Sequence, residues 1–278
     1  MSIPRSLELP AGVEKVWGYG VGVDLATLSI QARGVRRGTV LLIPGWTGSK
    51  EDFTPLLPLL ADAGYDATAY DQRGQYESKP GDSYTLDAFA RDAIRMVEVV
   101  GPYSHVIGHS FGGLVAQRAT VLDPELIASL SLLCTGPGAL GDTPTRPLRR
   151  LAAAIGKVPL LQIHQLREQG VKRPAQITRF LARRFTSNDP ASLKAMTQLL
   201  IDAPDIIDEV AATDLPFWVG RGADDDAWPH AVQAQMAERL GTTIHVVPDS
   251  AHSPAVENPG GLMAAWLPFL EQHSMEVH

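Results

Sequence analysis

At 278 residues with 45% hydrophobic content, the chain is long enough for one large core, alone or with an insertion. Cys134 is the single cysteine, which excludes an internal disulfide, and no Cys/His cluster has the spacing of a closed zinc site. A formal charge of −7 argues against nucleic acid as the partner; the N-terminus lacks a signal-like apolar core, and no run approaches the ~18 apolar residues of a membrane span. The expectation is a soluble, cytoplasmic protein in a reducing compartment.

Short apolar runs alternate with longer helical patterns, as in βαβ units around a mostly parallel sheet. Alternating segments at Val16–Tyr19 and Val23–Ala32 predict an antiparallel start. Strands are then predicted at Thr39–Ile43, Ala67–Tyr70, His105–Gly108, Ala128–Cys134, Phe217–Val219 and Thr243–Val247. Helical periodicity fills Glu51–Ala63, Leu86–Val100, Gly112–Leu122, Ala231–Leu240 and Gly260–Glu271. The fold class is α/β.

From 139 to 203 the strand signals stop and helical pieces are punctuated by Pro144, Pro147, Pro159, Pro174 and Pro190. This stretch reads as a helical cap inserted into a core made of residues 1–138 and 204–278. It holds eleven Lys/Arg against four acids, a net of +7, which leaves −14 elsewhere. The basic side chains are expected to solvate outer helix faces and pair with the acidic body; docking of an acidic or phosphorylated thiol carrier is the other reading. Leu160, Leu161, Ile163, Leu166, Phe180, Leu181, Met196, Leu199 and Leu200 either line a pocket or form the insertion's own core.

The segment Gly108-His-Ser-Phe-Gly112 follows a predicted buried strand and opens a predicted helix. Gly-x-Ser-x-Gly in that context is a nucleophile elbow, in which small neighbours let the serine occupy a strained turn. A serine hydroxyl needs a base and an orienting acid. His252 lies in a small-residue loop after the last predicted strand, and Asp224, Asp225 and Asp226 follow Phe217–Val219. His109 adjoins the serine but is expected to point the other way and pack; His105, His230 and His245 read as structural.

With Ser, Asp and His in that order, each after its own strand, the chain resembles an α/β-hydrolase with an inserted cap, over roughly Leu28–Leu270. The resemblance implies Asp225 as the acid, through Gly222-Ala-Asp-Asp-Asp-Ala-Trp-Pro229. It implies an oxyanion hole from the backbone N–H groups of Trp46 and Phe111, with Pro44 standing where the family usually has histidine. Asp71-Gln-Arg-Gly-Gln-Tyr-Glu-Ser78 matches a mainly structural loop in which Tyr76 replaces the usual glycine. Tyr76 and Trp228 are candidate pocket residues. The implied activity is acyl transfer by Ser110, Asp225 and His252 without a cofactor or metal, on a small-molecule carboxylic ester with a small to medium apolar group. Thioesterase, carbon–carbon hydrolase and aminopeptidase activities stay open within the class, and a ligand-binding or receptor role on the same fold stays open outside it.

Overall fold

A computed structural model of the chain describes residues 2–274, the side chains of residues 142–144 apart. Its sheet has eight strands, β1 (Glu14–Tyr19), β2 (Asp24–Ile30), β3 (Gly38–Ile43), β4 (Tyr65–Tyr70), β5 (Ser104–His109), β6 (Ile127–Leu133), β7 (Phe217–Gly222) and β8 (Ile244–Val247), in the order β1-β2-β4-β3-β5-β6-β7-β8. β1 and β2 pair antiparallel, as do β2 and β4, and every pairing from β4 through to β8 is parallel.

Helices cover both faces of the parallel part, and the Val40–Ile43 run of β3 is accordingly apolar without interruption. β3 shows how one strand serves two cores. Leu41 and Ile43 join the cluster under α2 (Leu86–Val100) and α3 (Phe111–Leu122), while Val40 and Leu42 join the cluster under α1 (Leu57–Asp62) and the helix Pro259–His273. All four are fully buried, and the period of two along a strand sends neighbours to opposite faces.

The predicted helix from Glu51 to Ala63 is two elements, a 3₁₀ turn at Lys50–Phe53 and then α1. Pro55 between them has no N–H to continue a ladder, and Pro58 sits in the first turn of α1, where none is needed.

Between β6 and β7 lie α4 (Asp142–Ala154), α5 (Leu160–Arg167), α6 (Ala175–Thr186), α7 (Pro190–Asp202) and the short α8 (Ile207–Ala211). Ile155, Ile163, Phe185 and Leu193 form a small core within this stretch. Met196 and Leu200 instead join the larger core below, and Leu161 and Leu166 are exposed. Its basic residues behave unevenly. Arg184 is fully buried against Asp52 of the 3₁₀ turn, Nη1 to Oδ1 at 2.7 Å, whereas Arg183 meets Glu77 only at 3.7 Å.

Candidate active site

Four parallel strands deliver the site at their C-terminal ends, where open α/β sheets place ligands. β5 ends in His109 and leads to Ser110; β3 leads to Trp46; β7 leads to Asp225; β8 leads to His252.

Ser110 has φ 55° and ψ −121°, a conformation that non-glycine residues rarely adopt. The glycines of the motif make the turn possible by absence. A Cβ on Gly108 would lie 2.3 Å from the Gly112 carbonyl oxygen, and one on Gly112 would lie 2.2 Å from that of Ile43. The turn thereby lifts the serine to the head of α3, whose first N–H groups have no partner within the helix.

The Ser110 hydroxyl lies 3.0 Å from His252 Nε2, and His252 Nδ1 lies 2.7 Å from Asp225 Oδ1. A carboxylate only accepts, so the proton sits on Nδ1 and Nε2 is left to accept from Ser110. Asp225 is 3% exposed, and its other oxygen accepts from Gln233 Nε2 at 2.8 Å. Burial alone would push this carboxyl up; the hydrogen bonds from His252, Gln233 and the Ala227 N–H outweigh it and hold the group below its ordinary value. Asp224 and Asp226 are exposed.

Glu257 frames His252 from behind. One of its carboxylate oxygens accepts from the N–H groups of Ala251, at 2.7 Å, and Ser253, at 3.2 Å, the two residues flanking the histidine. His109 contributes as well. Its Nε2–H donates to the His252 carbonyl at 2.5 Å, and the residue lines the cavity beside Ser110, contrary to the expectation that it packs away from the site. Burial, then the neighbouring His252, push its imidazole down to about 4, so it is neutral at pH 7.

The loop after β3 is held by two glutamines. Gln72 Nε2 donates to the Pro44 carbonyl and Gln75 Nε2 to the Gly45 carbonyl, both at 2.8 Å, and both glutamines are buried. With those carbonyls tied back and Thr47 turned at φ 56°, the Trp46 N–H has no acceptor among the described residues. Behind the loop, Lys50 is fully buried and meets Asp71 at 2.8 Å, Glu77 at 2.7 Å and Glu51 at 3.1 Å. Burial would lower its ammonium; the three carboxylates outweigh that and hold it well above its usual value.

A cavity of about 230 Å³ opens beside Ser110. One part of its lining is apolar, with Leu140, Pro147, Leu148, Leu200, Trp46 and Trp228; another is polar or small, with Ser2, Gly48, Asp52 and His109. Trp228 is anchored by Nε1–H donation to the Gly138 carbonyl at 3.2 Å. Tyr76 does not line the cavity. Its backbone turns at φ 45°, and its ring packs edge-on against Phe180 of α6, 5.7 Å between centroids, which ties the 71–78 segment to the helices above.

His109, Cys134 and His252 place their ligand atoms within 4.8 Å of one another. They do not suit a metal: His252 and His109 are engaged as described, and burial holds the Cys134 thiol protonated far above its ordinary value.

The chain belongs to the alpha/beta hydrolase family, whose model matches residues 40–266. It is 26% identical over 250 residues to a Variovorax paradoxus protein named as a candidate carbamate hydrolase, covering 84% of this chain and 92% of that one. It is also 26% identical over 251 residues to a non-heme haloperoxidase of Rhodococcus erythropolis, covering 82% and 90%. Among solved structures, a thermophilic esterase from Thermogutta terrifontis superposes with a TM-score of 0.77 at 21% identity, over 94% of this chain and 100% of that one. No helix among the described residues is long and apolar enough to cross a membrane.

Proposed function

We propose that the protein is a serine esterase that works through an acyl-enzyme on small to medium, largely apolar carboxylic esters. The observation that carries this reading is the relay from Ser110 through His252 to Asp225, 3.0 and 2.7 Å, with the serine on a strained turn at a helix N-terminus.

The steps follow from the geometry. Ser110 Oγ attacks the ester carbonyl as His252 Nε2 takes its proton, and the carbonyl oxygen becomes an anion. The free N–H groups of Trp46 and Phe111 receive that charge; losing one such donor typically costs 10²- to 10³-fold in rate. His252 returns the proton to the departing alcohol, leaving the acyl group on Ser110. Water then enters and bonds the acyl carbon as His252 takes its proton; the bond to Ser110 Oγ breaks, His252 returns the proton to that oxygen, and the acid leaves. Asp225 stays ionised, keeps the imidazole in the Nδ1–H form and stabilises the imidazolium.

Residues 139–203 are assigned the role of a lid, supported by the presence of Leu140, Pro147, Leu148 and Leu200 in the cavity lining. Steady-state hydrolysis of p-nitrophenyl acetate and butyrate tests the reading. Turnover by the wild type that Ser110→Ala lowers by several orders of magnitude supports it. Equal turnover by both proteins sinks it.

A further inference from the structure

One wall of the cavity comes from neither the sheet loops nor the helices between β6 and β7. Ser2 lines the cavity at 4% exposure. The segment is tied at three points. Ser2 Oγ lies 2.8 Å from Ser253 Oγ, Arg184 Nη2 donates to the Ser2 carbonyl at 2.5 Å, and Arg5 Nη2 donates to the Glu257 carbonyl at 2.7 Å.

Each partner belongs to the framework of the site. Ser253 follows His252, and Glu257 holds the N–H groups on either side of that histidine. Arg184 is fully buried on α6, and its Nη1 pairs with Asp52, itself a lining residue. A guanidinium that bonds a carboxylate and a main-chain carbonyl at once fixes both by charge-assisted hydrogen bonds. The segment is therefore pinned between the His252 loop and α6, at the part of the cavity bounded by Gly48, Asp52 and His109.

We infer that Ser2, held in place by the 2–5 segment, is a specificity-determining wall. It shuts the cavity on that side and confines the ester to a short chain there. For its effect on turnover the inference rests on the esterase reading; the space it closes does not depend on catalysis. Each further methylene that finds burial contributes about 4-fold in affinity, so opening the wall favours long chains over short ones.

The test compares the full chain, a variant lacking residues 2–5, and Ser2→Phe, which puts bulk where the deletion removes it. Two series are read: kcat/KM for p-nitrophenyl esters from acetate to dodecanoate, and thermal stabilisation of the corresponding Ser110→Ala proteins by primary alcohols from butanol to dodecanol. The deletion is expected to raise the decanoate-to-acetate ratio of kcat/KM by about 10-fold or more, and to move the best-stabilising alcohol to a longer chain. Ser2→Phe is expected to move both the other way. Unchanged profiles in both variants overturn the wall, as does a loss that is uniform across chain lengths. If the full chain turns over no ester, the esterase reading fails and the alcohol series alone decides: a shift in preferred length sustains the wall and a fixed length rejects it. If the deletion variant does not fold, Ser2→Phe decides on the same criteria.

Discussion

His109 and His252 are joined by a hydrogen bond of 2.5 Å from the ring of the first to the main-chain carbonyl of the second. The residue before the nucleophile thus holds the residue that faces it. His109→Ala removes the donor without touching the relay, so kcat for p-nitrophenyl butyrate should fall by about 10-fold while KM changes little. His109→Gln, which keeps an N–H donor, should recover part of the loss. A merely structural role would give neither the selective fall in kcat nor the recovery.

The glutamine clasp on the β3 loop makes a second prediction. Gln75→Met keeps the volume but releases the Gly45 carbonyl, letting the Trp46 N–H drift from its aim. Misplacing one oxyanion donor should cost up to about 10²-fold in kcat. Stopped-flow measurement of acylation should show the loss in that step, with substrate binding nearly intact.

Acid should destabilise the protein in a defined window. Burial first, with nearby histidines second, pushes His105 and His109 down to about 4 from the usual 6.5. Between those values the unfolded chain binds more protons than the folded one, so unfolding free energy rises with pH across the window and falls as the medium is acidified. At about 1.4 kcal/mol per pKa unit, each histidine contributes roughly 3 kcal/mol over the whole window and about 2 kcal/mol of it by pH 5. Urea unfolding at pH 7 and at pH 5 should show it, and His105→Gln should flatten the dependence; equal midpoints at the two pH values would contradict the assignment.

Arg184 and Asp52 form a buried pair, and breaking it from one side leaves an uncompensated charge. Arg184→Met should cost about 3–5 kcal/mol in chemical denaturation. Asp52→Asn on the Arg184→Met background should restore part of it, because the stranded carboxylate is then gone.

Much of this architecture was legible in the chain. Val40–Ile43 of β3 is an unbroken apolar run because both faces are covered, and Gly108-x-Ser110-x-Gly112 sits where strand, turn and helix meet, so local pattern and local chemistry agree there. The order Ser110, Asp225, His252 could be read because each follows its own strand. What escaped are relations between distant segments: Gln72 with Pro44, His109 with the His252 carbonyl, Arg184 with Ser2. No periodicity records which carbonyl a glutamine will reach. Tyr76 was drawn towards the pocket by its place in the Asp71–Ser78 motif, yet its positive φ turns the ring under α6, a direction that side-chain pattern alone does not encode.

The most direct test of the central claim is the intact mass of the wild type and Ser110→Ala after exposure to a serine-reactive fluorophosphonate. Activation of the hydroxyl by His252 predicts one adduct on the wild type, none on Ser110→Ala, and much slower labelling of Asp225→Asn. An unlabelled wild type, or a Ser110→Ala protein labelled to the same extent, would contradict the account of Ser110 as the nucleophile.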